Sequence, residues 1–467
     1  MMYRSRVDLD VMAGKLVACS VCSASPHPTA GSDPGTKSIR TPGGTKVQNP
    51  AGPAHRDPNV FRWLLAYAFS CVANSAYFLA LGWTANEIAG PAQVGWVVAA
   101  GAAPRALLML VGGVIADRFG PRLVVIVSDA VRCAVILALA AGLVFTSPTL
   151  WLLFTVALLF GVVDAFFMPS VGALPALITR QDQLVRLQGM RGFTLRLGNV
   201  AGPPFAGLAM GFGEPAAVFG AVGVLLALSL FLLVFVRTLP VHGGDEKSAR
   251  PRGELWRDLM AAFAYARSRP LIGAVLVSIA LVEIATVGPL NVGFLFLADD
   301  RGWGASGVGW IVGAFGAGAG ASGLMLTWWA NLPRPGAVYW GTMIAGSLAI
   351  GCFAWVDTLL VAVLAGAVAG GLLGLNGALA LAFVQTATEP TMLGRIMSLG
   401  TLVGLGLAPF TIPVFGTVAA SIGTDAVFLS CSALGLMGSG VVLTSSAIRR
   451  AELAAPRADD ARADLKP

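Results

Sequence analysis

Apolar residues along the chain gather into long runs set apart by short polar turns, and each run is long enough to cross a hydrocarbon core about 30 Å thick as a helix. Twelve runs are read, at about 61–83, 94–116, 123–145, 149–172, 189–212, 215–237, 271–297, 306–330, 337–357, 359–383, 396–420 and 423–446. They predict an all-α membrane protein of twelve transmembrane helices in two six-helix bundles. An even number of crossings places both ends of the chain on one side.

The polar segments complete this outline. Residues 1–58, rich in Pro, Gly, Ser and Thr, read as a disordered cytoplasmic tail or an over-extended start. The longest interior polar segment, Pro240 to Pro270, follows the sixth run, so bundles at 59–238 and 271–447 flank a cytoplasmic linker, 239–270, and a second tail occupies 448–467. Within the linker, Glu254 to Arg267 reads as an amphipathic surface helix with Trp256, Leu259 and Phe263 on its apolar side.

Charge fixes the orientation. Loops 84–93, 146–148, 213–214, 298–305, 358 and 421–422 contain a single Lys or Arg, Arg301. The opposite side holds Arg118, Arg122, Arg180, Arg186, Arg191, Arg250, Arg252, Arg257, Arg267, Arg269, Arg449 and Arg450. This asymmetry predicts cytoplasmic termini. Trp63, Trp83, Trp96, Trp151, Trp303, Trp328, Trp329, Trp340 and Trp355 fall near predicted span ends, as interfacial anchors do.

Composition excludes several classes of function. With 56% hydrophobic and 12% charged residues and a mean hydropathy of +0.77, the chain does not suit a soluble domain of this size. Its net charge of +7 therefore orients helices instead of marking a nucleic-acid partner. Cys71, Cys133, Cys352 and Cys431 sit in apolar runs as small packing residues. Cys19 and Cys22 form a lone C-x-x-C without the second pair that a zinc site needs. Leu16-Val17-Ala18-Cys19 is similar to a lipoprotein cleavage box, but Asp8, Asp10 and Lys15 break the apolar core of a signal peptide. Gly318 to Gly323 satisfies G-x-G-x-x-G inside an apolar run with no strand before it, so it reads as a close-packing helix face. No Walker-type phosphate loop is present.

Equal span counts suggest duplication. Gly198 and Pro203 are echoed by Gly404 and Pro409 at an offset of 206, and Gly113 by Gly323 at an offset of 210 before the degenerate turn Trp328 to Arg334. Paired repeats of this kind suit alternating access.

The turn between the second and third runs, Gly113 to Arg122, resembles the G-x-x-x-D-R-x-G-R-R signature of the major facilitator superfamily. Gly113, Asp117, Arg118, Gly120 and Arg122 match it, and Pro121 replaces the first of the final basic pair. The resemblance covers about 60–446 and implies the major facilitator fold. Gly189, Gly198, Gly202, Pro203 and Gly207 reproduce the G-x8-G-x3-G-P-x2-G-G spacing of antiporters, with Ala206 at the penultimate glycine. Pro104-Arg105, Asp129, Arg132 and Gly161 to Pro169 extend the resemblance to the third drug:proton antiporter subgroup, which includes macrolide and tetracycline effluxers and siderophore exporters.

Named residues then acquire chemistry. Gly113 lets its helix approach a neighbour closely. Asp117 can accept hydrogen bonds at a helix N-terminus, where the dipole favours an anion. The resemblance implies that this terminus is the start of span eleven, near Gly394 to Met397, so that Asp117 latches the halves while the cavity faces outward. Its alternative is a solvated loop carboxylate. Arg105, Asp129, Arg132 and Asp164 lie at similar depth in one half of the first bundle, either as a structural ion network or with Asp164, tied to Arg118 or Arg105, sensing protonation.

Glu283 stands alone in span seven, about twelve residues in. A proton carrier must hold its proton in an apolar setting, and an isolated intramembrane carboxyl group meets that need. The histidines, His27, His55 and His242, all lie outside the runs, so proton coupling falls to carboxylates, with Glu283 first and Asp164 second. A protonated acid hydrogen-bonded to a neighbouring helix is the alternative for Glu283. Asn74, Asn291 and Asn376, with Phe78, Phe294 and Phe296, suit a mostly apolar substrate cavity or polar contacts between helices.

These readings converge on a monomeric secondary transporter of the bacterial plasma membrane, without cofactor or metal, whose partners are a small-molecule substrate, protons and the lipid bilayer. It exports hydrophobic or amphipathic compounds, drug-like molecules or siderophores, by proton antiport. A proton-coupled or facilitative importer on the same fold is the alternative, and a non-transporting membrane sensor the further one. No nucleophile–base pair suggests an enzyme.

Overall fold

The computed structural model describes residues 57–179, 183–212, 214–238, 252–328 and 334–444. Expectations for most of the first tail, for linker residues 239–251, for 329–333 of the degenerate turn and for the last tail lie outside these residues. In order, the elements are α1 (Pro58–Ile88), α2 (Pro91–Phe119), α3 (Pro121–Phe145), α4 (Leu150–Ala173), the short α5 (Pro175–Ile178), α6 (Leu184–Phe212), α7 (Pro215–Val234) and α8 (Arg252–Ser268). There follow α9 (Pro270–Gly288), a π-helical turn (Pro289–Gly293), α10 (Phe294–Asp300), α11 (Gly304–Trp328), α12 (Pro335–Cys352), a 3-10 turn (Phe353–Trp355), α13 (Leu359–Ala387), α14 (Pro390–Ile422) and α15 (Thr424–Thr444).

Among the described residues ten helices, counting 270–300 as one, are long and apolar enough to cross a membrane. Two other long helices, α6 and α15, pack among them; α6 carries Arg186, Arg191 and Arg196 in its first half. Proline opens many of these helices, at Pro58, Pro91, Pro121, Pro215, Pro270, Pro335 and Pro390, where its missing N–H has no intrahelical partner to lose. Gly120 ends α2 and caps α3 with φ at +85°. That left-handed backbone favours glycine, and Pro121 then begins the next helix at once.

The core has one shared part and two separate parts. Toward the face away from the start of α1 and the end of α15, a continuous apolar cluster unites Ala73 to Ala102, Cys133 to Phe160 and Val218 to Leu226 with Val292 to Ile311, Ile350 to Leu373 and Ala408 to Cys431. Toward the face where α1 starts and α15 ends, one cluster draws only on residues between Val60 and Val236, and another only on residues between Ala262 and Val442. The two halves therefore join at one face and part at the other.

Glycines carry the closest approaches. On the joined face a Cβ added to Gly95 would lie 3.1 Å from the Ile412 carbonyl oxygen, one on Gly416 2.6 Å from that of Pro91, and one on Gly207 2.6 Å from that of Ala305. Gly309 meets Pro203 in the same manner. Within the first half, Gly101 and Gly161 bring α2 against α4, and Gly112 rests on the Ala165 backbone. The close approach expected of Gly113 thus belongs to its neighbour: nothing lies within 4 Å of a Cβ at Gly113, because the α2 face toward α4 runs through Gly112. A Gly161→Leu variant should unfold several degrees lower in detergent, overpacking costing about 1–3 kcal/mol. Gly142→Leu, at a position where a Cβ meets nothing within 4 Å, should leave the unfolding midpoint within error.

Helix α8 forms and seats Ala262 and Ala266 in the second-half cluster, with Phe263 57% exposed. One other sequence expectation changes. Trp63 is fully buried and stacks on Tyr67, so it is a core residue and not an interfacial anchor.

Candidate functional site

Between the halves lies a cavity of about 510 Å³. Asn74 and Phe78 of α1, Arg105 of α2, Arg196 and Asn199 of α6, and Phe315 of α11 line it, with Glu283 of α9 and Asn291 of the π-turn. The walls are mostly apolar with a few polar groups, as ligand cavities are. Pro289, at the start of the π-turn, has no N–H to donate, and the wider turn carries Asn291 to the wall. Asn291 bonds back to the Val287 carbonyl at 2.9 Å, while the Asn74 side-chain oxygen is buried without a partner.

Not every expected lining residue reaches this space. Asn376 is buried on α13 and donates to the Tyr339 carbonyl at 2.8 Å, so it ties α13 to α12. Phe294 and Phe296 lie in the shared core, where Phe294 meets Phe353 edge to face at 4.8 Å. Sequence reading missed Arg196, Asn199 and Phe315. Arg196 lies inside an apolar run, so the rule that singled out Arg105 applies to it equally.

The four expected charges meet behind the α2 wall. Arg132, 1% exposed, pairs with Asp129 and lies 3.2 Å from Asp164. Arg105 reaches the other Asp164 oxygen at 3.5 Å. Ser229 donates to Asp129 at 2.6 Å, and Arg132 donates to Ser70 at 3.1 Å. The Arg132 guanidinium also sits 3.7 Å from the Phe167 ring centroid. Two positive and two negative charges balance, and helices α1, α2, α3, α4 and α7 are joined through them. Asp164 pairs with Arg105 and Arg132, not with Arg118, whose guanidinium lies over Phe119.

Glu283 has no such company. It is half-buried, and among the described residues it makes no hydrogen bond or ion pair; Gly404 of α14 faces its carboxyl group. At the turn between α2 and α3, Asp117 is exposed and likewise makes no hydrogen bond or ion pair among the described residues. Its expected partner, the start of α14, is instead tied to the second half, through Arg269 and Glu389 at 2.7 Å and through fully buried Ile396. In helix α6, Gly198 and Gly202 admit α1 at Cys71 and Ser75, and Gly207 admits α11 at Ala305. Gly189 touches nothing within 4 Å of its added Cβ. Pro203 lines the cavity and its carbonyl faces Gly309.

Comparison with known proteins adds a family. The sequence model described as Major Facilitator Superfamily matches residues 63–404. The chain is 27% identical over 341 residues to the enterobactin exporter EntS of Shigella boydii serotype 18, covering 72% of this chain and 78% of the relative, and equally to that of Escherichia coli O81. In fold it is similar to a crystal structure of the nucleoside transporter NupG, with a TM-score of 0.67, 14% identity, and 83% of this chain and 99% of that one covered. A bacterial homolog of the human lysosomal transporter Spinster gives a TM-score of 0.63 at 13% identity, over 85% and 98% of the chains.

Proposed function

Because the chain belongs to the major facilitator superfamily, and is thus a multi-pass membrane transporter of small molecules and not an enzyme, we propose that it exports hydrophobic or amphipathic compounds by proton antiport. Its twelve spans form two six-helix bundles in a bacterial plasma membrane with both termini cytoplasmic. The observation that carries the reading is the unequal core, shared at one face and separate at the other, with a mixed apolar and charged cavity between. With cytoplasmic termini, the cavity opens to the cytoplasm, where an exporter loads.

Glu283 then serves as the proton site, and the Arg105–Asp164 contact couples the cavity wall to the buried network. Asp117 is a latch that this state leaves disengaged and that closes onto the start of α14 when the cavity faces outward. The similarity to enterobactin exporters supports export and is the reason to test enterobactin beside drug-like compounds.

Cells expressing the chain and loaded with a dye, an antibiotic panel and enterobactin should retain less of at least one compound than control cells. A protonophore should abolish the difference. Higher retention in expressing cells would reverse the direction of transport, and persistence of efflux after the protonophore would remove proton coupling.

A further inference from the structure

A second cleft of about 510 Å³ opens at the face where α1 starts, and none of its lining residues belongs to the central cavity. It is lined by Arg62 of α1, Arg122 of the first turn of α3 and Arg237 just beyond α7, with Phe231, Val234 and Phe235 of the α7 end beside them. We propose that it binds the phosphate of an anionic phospholipid in the adjoining leaflet.

The cleft is built for a negative charge. Among the described residues, three guanidinium groups share it and no carboxylate lines it. Among the described residues, the side chains of Arg62 and Arg237 make no hydrogen bond or ion pair. Arg122 donates one Nη2 bond, of 3.0 Å, to the Val234 carbonyl, and its Nε is buried without a partner. Like charges gathered in this way repel unless an anion joins them, and a phosphate oxygen accepts from arginine in a geometry that suits the planar fork. Basic pockets between helices on the cytoplasmic side hold acidic headgroups by this chemistry.

The apolar wall argues for a lipid over a dissolved anion. Phe231 and Phe235 are 61% and 54% exposed and meet edge to face at 5.0 Å. They stand on the outer surface of a membrane-crossing helix, directly beside the arginines, so acyl chains can cover them while the headgroup phosphate sits over the guanidinium groups. Free phosphate would satisfy the arginines and leave both rings uncovered. The bound lipid would also brace the start of α3 five residues beyond Asp117, which makes the inner leaflet's composition an input to the moving turn.

The full-length protein, purified in a neutral detergent and stripped of lipid, provides the test. Native mass spectrometry and thermal unfolding would be read with phosphatidylglycerol, phosphatidylcholine, inorganic phosphate or glycerol phosphate. Phosphatidylglycerol should remain bound and raise the unfolding midpoint, and the other three should not. Three near-surface arginines predict a loss of phosphatidylglycerol affinity on the order of 100-fold in a triple Gln variant of Arg62, Arg122 and Arg237. The triple Lys variant, which keeps the charge, should recover most of it. Equal stabilisation by phosphatidylcholine or by inorganic phosphate would overturn the lipid assignment, as would undiminished phosphatidylglycerol binding by the folded Gln variant. If the Gln variant does not fold, the ligand panel on the unaltered protein decides by itself.

Discussion

Arg132→Met should destabilise the protein more than any other single substitution considered. Methionine approximates the volume of the arginine stem but lacks the guanidinium that sits over the Phe167 and Phe160 rings, so the variant removes the charge and its ring contacts together. What remains is Asp129, fully buried with only Ser229 to donate to it, and Asp164, 1% exposed and held by Arg105 alone. Breaking a buried pair by removing one partner costs about 3–5 kcal/mol, because the other charge stays in a poor solvent. Thermal unfolding in detergent should show a midpoint lower by roughly 5–10 °C on the usual relation between stability and melting. Adding Asp129→Asn to the variant should recover part of the loss, since the stranded charge is gone. If the double variant is no more stable than the single one, the charges contribute little and the network is not what joins these helices.

Glu283→Gln should have the largest effect on activity with little effect on stability. The carboxyl group faces the cavity and Gly404 without an ion partner, so an amide of the same shape fits without leaving any charge unpaired. Coupling free energies between sites run to about 1–3 kcal/mol, a factor of 5–150. Substrate-driven proton movement in proteoliposomes should fall within that range, and efflux should lose its dependence on pH. Substrate binding should persist. A variant whose efflux still tracks the proton gradient would remove Glu283 from the coupling path and leave Asp164 as the carboxylate to examine.

The helical content was legible because long apolar runs admit few other structures in lipid, where every backbone group needs an internal partner. The ion network was legible in its membership, since four charges at one depth must meet or reach water. Its pairing was not, because which arginine Asp164 meets depends on how each helix is turned about its axis. The same uncertainty displaced Gly113 in favour of Gly112, and turned Asn376 toward Tyr339. Lipid and protein interior are both apolar, so a membrane helix does not advertise which face meets its neighbour. Residues chosen by chemical type alone fared better when a charge had to be answered than when a side chain only had to fit.

The glycine contacts on the joined face set how the transporter divides its time. At Gly95, Gly416, Gly207 and Gly309 the two halves meet backbone to backbone, within a face where side chains of both halves share one apolar cluster. The balance of this closure rests on many small dispersion contacts. One added methyl group there would press on the opposite backbone and disfavour this state, and a difference of about 1.4 kcal/mol would already change the resting ratio tenfold. The seam is therefore where sequence change can shift this chain's idle posture.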